Sequence, residues 1–152
     1  MLPEVKKIRV EFSKTGALKY ISHLDLNRTM QNVFLRSKLP IVYSQGFNPH
    51  PKTVFSPPLS VGVSSECEFV DFKMTEDVPY DVICRRLNES FPEGLRALSA
   101  YEPESKFSDI GWADYEIAFE TPAATDLEGE VVEALSGEIT VEKTGKAGTY
   151  EF

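Results

Sequence analysis

Two short stretches of the sequence concentrate side chains that recognise phosphates and nucleic-acid bases. They span residues 20–28 and 43–52, and together they hold both histidines of the chain. Aromatic rings that stack on bases, placed beside cations that pair with phosphates, are the combination that proteins use for single-stranded RNA. The candidate binding residues are Ser22, His23, Asp25, Arg28, Tyr43, Gln45, Phe47, Asn48, His50 and Lys52.

The first stretch is predicted to open a helix. Ser22 has the character of an N-cap residue, and Asp25 follows three positions later as its capping-box partner. The N–H groups of a first helical turn lack intrahelical acceptors, so this end of a helix favours an anion. In the simpler alternative, Asp25 does no more than cap the helix.

The second stretch reads as a loop rich in Gly and Pro that ends in a cation, Lys52. It offers Tyr43 and Phe47 as rings and several amide and imidazole groups as hydrogen-bonding partners. The alternative is that both rings belong to the core and that Asn48 and Pro49 form only a turn. We expect the two stretches to converge in one exposed cleft at the N-terminal end of the helix.

Charge is distributed unevenly along the chain. Residues 1–60 carry nine Lys and Arg against three acidic residues, a net +6, whereas the whole chain carries −8, which leaves −14 for residues 61–152. Such asymmetry is typical of a polyanion-binding face on an acidic body. The alternative is that the basic and acidic segments pack together and neutralise each other, since sequence charge is not surface charge.

The elements that must position these residues alternate between strands and helices. Strands are predicted at 7–12, 41–43, 67–74 and 95–101, and helices at about 22–38 and 80–91. On the third strand, Phe69 and either Val70 or Phe72 are expected to face inward. The order β-α-β-β-α-β predicts an α+β, ferredoxin-like unit over residues 1–104, with an antiparallel sheet and both helices on one face.

A linker is predicted at 102–111, and residues 105–152, which include most of this linker, are assigned to the start of a second, similar unit. Strands are expected at 113–120, 138–143 and from 149 onward, with a helix at 126–135. Because this unit stops after its opening elements, we expect the chain to be truncated.

Composition is that of a folded, reduced protein. Hydrophobic residues make up 41% of the chain, and no apolar run approaches the roughly 20 residues of a membrane span. Cys67 and Cys84 form no CxxC pair, which favours a cytoplasmic location. His23, Asp25 and His50 have no recognised metal-ligand spacing, so no metal site is predicted.

The residues 22–28 and 43–51 resemble the signature of the DUF2344 family, the radical-SAM-associated or radical-SAM-linked proteins of bacteria. The resemblance is most specific over residues 8–75. It implies a partner, a radical-SAM enzyme of the cobalamin-binding type, without naming a reaction. The iron–sulfur cluster of such an enzyme needs a set of cysteines that Cys67 and Cys84 cannot supply, so we expect no cofactor in this chain.

Three functions follow as hypotheses. In the first, the chain is an accessory domain that binds RNA or presents a substrate to the radical-SAM enzyme, and is not an enzyme on its own. In the second, it is a protein-interaction module that docks the partner enzyme. In the third, it is a metal-independent endoribonuclease, similar in architecture to the CRISPR RNA-processing enzymes. The candidate catalytic residues are then His23, Tyr20, Tyr43 and Lys52.

Overall fold

A computed structural model describes residues 5–118, 120, 127–137, 142–145 and 148–151. The chain divides into two compact units, the first ending at Trp112 and the second beginning at Ala113. None of the helices in the described ranges is long and apolar enough to cross a membrane.

The first unit is a mixed α+β structure built on one four-stranded sheet, as predicted. In chain order the elements are β1 (Lys6–Lys14), α1 (His23–Ser37), β2 (Thr53–Phe55), β3 (Ser65–Met74), α2 (Tyr80–Ser90) and β4 (Leu95–Tyr101). Neighbouring strands are antiparallel, and their order across the sheet is β2-β3-β1-β4.

Both helices pack on the same face of the sheet, which confirms that prediction. The alternation along β1 buries Ile8, Val10 and Phe12, and these side chains share one core with residues of α1 and α2. The rings of Phe34 and Phe72 lie 4.8 Å apart at its centre. Complete burial of side chains of this size stabilises the fold by about 1.5–3 kcal/mol each.

The second strand differs from the prediction. Residues 41–43 were expected to form it, but Ile41 and Tyr43 make only single bridges, and the regular strand is β2 at Thr53–Phe55. The Val42 N–H donates to the Lys73 carbonyl at 2.8 Å. The residues just before the loop therefore lie beside β3 without forming a regular strand. The prolines on either side of β2 indicate breaks in regular structure, so a strand of only three residues was not predicted there.

The predicted orientation of Phe69 is also wrong. Val70 and Phe72 face the helices, whereas Phe69 lies on the opposite face of β3, with its ring 6.5 Å from that of Phe107. Strand side chains alternate between faces, so Phe69 cannot share a face with Val70 or Phe72 unless the strand is bulged between them.

The predicted linker packs against the helix-free face of the sheet. Arg9 on β1 donates to the Ser105 carbonyl at 3.0 Å, and its guanidinium lies 4.1 Å from the centre of the Phe107 ring. Arg9 also forms a bidentate ion pair with Asp71, with N–O distances of 2.7 and 2.9 Å. The residues after β4 thus cover a buried charge pair.

The second unit contains α3 (Leu127–Leu135) and a hairpin of β5 (Glu142–Gly145) and β6 (Gly148–Glu151). The predicted helix at 126–135 is confirmed from 127 onward. The predicted strand at 113–120 is wrong over 113–118 and at 120, since these residues pair with no strand in the described ranges. Positions 138–141 of the next predicted strand, and residue 152, lie outside the described residues.

Candidate functional site

The N-terminus of α1 is capped as predicted. Ser22 Oγ accepts a hydrogen bond from the Asp25 N–H at 3.1 Å and donates one to the Asp25 carboxylate at 2.7 Å. Arg28 reaches the other Asp25 oxygen at 3.4 Å. Ser22, Asp25 and Arg28 therefore form one polar cluster, with His23 as the first helical residue.

Loss of the Ser22 cap has a definite expected cost. Ser22→Ala should lower the free energy of unfolding by about 0.5–2 kcal/mol, because an N-cap serine satisfies one backbone donor of the first turn. Chemical denaturation would measure the change. Ser64→Ala is the matched control, since Ser64 is exposed and makes no hydrogen bond in the described part of the chain. Equal effects of the two substitutions would contradict the capping role.

A small cavity lies between this helix end and the sheet. The volume that the centre of a water molecule can occupy is about 10 Å³, which is enough for one water. His23 stands at the cavity with its ring edge-on to Phe55, 5.4 Å between centroids. The cavity is lined by Lys14, Ile21, Ser22, His23, Leu26, Phe55, Ser56, Pro58, Leu59 and Glu68.

Two ionisable side chains of this cavity are almost completely buried. Lys14 is 4% exposed and Glu68 is 7% exposed. Burial raises the pKa of the Glu68 carboxyl above its usual value, and a hydrogen bond from Ser65 with the nearby charges of Lys14 and His23 lowers it in part. Lys14 makes no side-chain hydrogen bond or ion pair with any residue the structure describes.

Lys14, Phe55 and Glu68 were not predicted as site residues. A signal was present for the two charged ones, because Lys14 lies two positions beyond the buried Phe12 and Glu68 two positions before the buried Val70. Phe55 carried no such signal, since its strand was not predicted.

The second predicted stretch forms a loop closed by its own residues. Tyr43 bridges to Pro51, and the Ser44 N–H donates to the His50 carbonyl at 2.8 Å. The Ser44 hydroxyl lies 3.0 Å from His50 Nδ1 and accepts from the His50 N–H at 3.1 Å. His50 Nδ1 is also 3.1 Å from the Asn48 carbonyl oxygen. These contacts hold the loop in a defined shape.

The two rings of the loop have different environments. Tyr43 is half-buried and packs against the core, whereas Phe47 at the loop tip is completely exposed. Gln45, Asn48 and Lys52 are exposed as well, and their side chains make no hydrogen bond in the described part of the protein. Phe47 is the ring that is free to meet a partner.

The two predicted stretches form separate networks of hydrogen bonds. Within the described residues, no hydrogen bond, ion pair or ring contact joins residues 22–28 to residues 43–52. They are linked through β2, which follows Lys52 directly and places Phe55 against His23. The structure thus shows two neighbouring polar clusters.

A larger groove adjoins the second cluster. Its volume is about 310 Å³, and lysines rim a mostly apolar floor. Lys52 and Lys73 are exposed, and Lys7 forms a 3.0 Å ion pair with Asp71. The groove is lined by Val5, Lys7, Val42, Lys52, Thr53, Val54, Asp71, Phe72 and Lys73.

Part of the positive charge of residues 1–60 is neutralised inside the fold. Lys6 pairs with Asp77 at 2.9 Å, and Lys7 and Arg9 both pair with Asp71. These two carboxylates belong to residues 61–152, the acidic part of the chain. The fold therefore pairs some cations of the basic segment with carboxylates of the acidic segment. Lys52, in contrast, has no acidic partner among the described residues and keeps its charge free for a ligand.

None of the clusters has the composition of a metal site. In the parts of the chain that the structure describes, no group of three or more His, Cys, Asp or Glu side chains is placed to hold a metal ion. Cys67 is exposed and Cys84 is partly buried, and neither forms a disulfide.

Residues 7–152 match the DUF2344 family, which is described as an uncharacterized protein conserved in bacteria. The match covers nearly the whole chain, so the chain belongs to this family. It includes both clusters, the cavity and every residue that lines the groove except Val5. No curated protein matches the chain.

Proposed function

We propose that this chain is an accessory RNA-binding domain, and that it presents single-stranded RNA to a radical-SAM enzyme in the bacterial cytoplasm. The observation that carries the RNA proposal is the lysine-rimmed groove beside the loop that exposes Phe47. The partner enzyme rests on the family resemblance alone. Any iron–sulfur cluster would then belong to the partner.

We also propose that the first unit is ferredoxin-like. The β-α-β-β-α-β order, the strand order β2-β3-β1-β4 and the placement of both helices on one face support this class. In such a unit the other face of the sheet is free of helices. One common RNA-binding module, the RRM, binds single-stranded RNA on a four-stranded sheet.

The groove has the size and chemistry that a nucleotide needs. A volume of 310 Å³ lies at the lower end of the range for small-molecule sites, and an apolar floor accepts a base. Lys52 and Lys73 supply positive charge at the rim for the phosphates. Phe47, on the adjoining loop, offers an exposed ring on which another base can stack.

The two alternatives have weaker support. A protein-docking module would use the same exposed Phe47, but it would not need a rim of lysines. An endoribonuclease would need its candidate groups together around His23. Within the described residues, no hydrogen bond or ring contact joins Tyr43 or Lys52 to His23, so the geometry favours binding over cleavage.

The salt dependence of RNA affinity tests the groove. Lys52→Ala and Lys73→Ala should each reduce the slope of log affinity against log salt by about 0.7, because each lost phosphate contact releases fewer counterions from a single strand. Binding of a short oligoribonucleotide with hydroxyl ends would be measured over a range of salt concentrations. Arg85→Ala is the matched control, because it removes one exposed cation from α2, away from the groove.

Two outcomes would overturn the proposal. If the folded protein binds no RNA at low salt, the protein-docking function takes its place. If Arg85→Ala changes the slope as much as Lys52→Ala does, the contact is general electrostatic attraction and the groove is not the site. The radical-SAM partner is tested separately, by co-purification of the full chain from bacterial cells.

A further inference from the structure

We propose that the cavity at the N-terminus of α1 is a phosphate-binding site in which one phosphate oxygen reaches the ammonium group of Lys14, a residue that is almost completely buried. The site is separate from the lysine-rimmed groove and stands whether or not the groove binds RNA. Its ligand is a terminal phosphate group, either free or at the end of an RNA chain.

Lys14 is the first observation. Its side chain lines the cavity, is 96% buried and makes no hydrogen bond or ion pair among the described residues. Its ammonium nitrogen keeps some contact with solvent, because no side-chain nitrogen or oxygen in the described part of the chain is both fully buried and without a hydrogen-bond partner. The enclosed position limits hydration of the ammonium, which favours a charged ligand. Glu68 is close enough to interact with it electrostatically, but the two do not reach ion-pair distance. The ammonium is therefore available to a ligand oxygen.

The helix end is the second, independent observation. The first intrahelical hydrogen bond of α1 runs from the Leu26 N–H to the Ser22 carbonyl, and the Asp25 N–H is bound by the Ser22 side chain. The N–H groups of His23 and Leu24 are left without an acceptor among the described residues. In a helix of 15 residues, such groups lie at the positive end of the dipole.

The size of the cavity determines how a ligand would bind. Space for one water admits a single oxygen and excludes a ring or a chain. The other ligand atoms must then lie at the mouth, where His23 is exposed. Phosphate fits this arrangement, because its remaining oxygens can accept from the imidazole and from the free N–H groups.

Glu68 is the group that opposes an anion. Burial raises its pKa, so protonation is easier than for an ordinary glutamate, and the neutral acid can donate to a phosphate oxygen. The other charged groups near the helix end are Lys14 on β1 and His23, Asp25 and Arg28 on α1, and Arg28 pairs with Asp25. Removal of the Glu68 charge should therefore strengthen phosphate binding.

The test is a titration of the whole chain with inorganic phosphate, followed by NMR. The amide signals of His23 and Leu24 should shift and saturate. Lys14→Met should weaken binding about tenfold or more, because a hydrogen bond to a charged group is lost. Glu68→Gln should strengthen it severalfold. His23→Ala should weaken it and leave the fold intact, because the imidazole is exposed.

A second arm separates the two sources of phosphate. An oligoribonucleotide with a terminal phosphate is compared with the same sequence ending in a hydroxyl. If the site holds RNA ends, the phosphorylated form binds about tenfold tighter, and Lys14→Met removes that advantage only. If the site holds free phosphate, inorganic phosphate saturates it and the two oligomers bind equally.

The proposal fails if phosphate leaves the His23 and Leu24 signals unmoved. It also fails if Lys14→Met, His23→Ala and Glu68→Gln all leave the affinity unchanged in folded protein. The groove is judged apart from this result, because its own test uses hydroxyl-ended RNA and the variants Lys52→Ala and Lys73→Ala.

Discussion

Asp71→Ala should lower the free energy of unfolding by about 3–5 kcal/mol, the largest stability change expected from one polar substitution in this protein. Asp71 accepts two hydrogen bonds from Arg9, at 2.7 and 2.9 Å, and a second cation, that of Lys7, lies 3.0 Å away. Without the carboxylate, the Arg9 guanidinium stays buried and keeps no carboxylate among its partners, which are then the Ser105 oxygens, the Phe107 ring and Tyr101 in the described part of the chain.

Denaturant unfolding of Asp71→Ala would measure this loss, and Asp77→Ala is its control. Asp77 pairs with Lys6 at 2.9 Å, but its side chain is 81% exposed, whereas that of Asp71 is 4% exposed. An exposed pair contributes little to stability, because solvent screens the two charges. Similar losses for the two variants would show that burial gives the Arg9–Asp71 pair no greater effect on stability than an exposed pair has.

Phe47→Ala should weaken the binding of single-stranded RNA by about 1–3 kcal/mol, which is a loss of about 5- to 150-fold in affinity. The ring is completely exposed at the loop tip, so its removal takes a stacking surface from the ligand and no contact from the core. The midpoint of thermal unfolding should therefore stay unchanged. Fluorescence anisotropy with a labelled oligoribonucleotide would measure the affinity.

Two controls distinguish stacking from damage to the fold. Tyr43→Ala should lower thermal stability, because that ring packs against the core. Leu35→Ala removes an exposed apolar side chain from α1 and should leave both stability and RNA binding unchanged. If Phe47→Ala binds RNA as well as the unaltered protein does, no base stacks on this ring.

Regular periodicity made most of the first unit predictable. The strand at 95–101 and the helix with buried Ile83 and Leu87 follow from apolar spacing, and Ser22 with Asp25 marks a helix start in any context. These signals are local, because a side chain on a helix or strand meets the same face of its element wherever that element packs. The membership of the family could likewise be anticipated from the residues 22–28 and 43–51.

Short or irregular elements could not be predicted in this way. Three residues at Thr53–Phe55 are too few for a periodic signal, and only hydrogen bonding to β3 makes them a strand. The segment containing Ser105 and Phe107 reads as a polar linker. Its place on the sheet depends on Arg9, 96 residues earlier in the chain.

Local sequence signals were enough to predict the alternation of strands and helices, the cap of α1 and the chemical types gathered in residues 20–28 and 43–52. Which charges are free depends on the three-dimensional fold. Lys7 and Arg9 meet Asp71 across paired strands, whereas Lys14 is enclosed beside Glu68 without an ion pair. Each of these neighbours is far away in sequence, and the fate of a charge depends on the groups and the water that surround it in space.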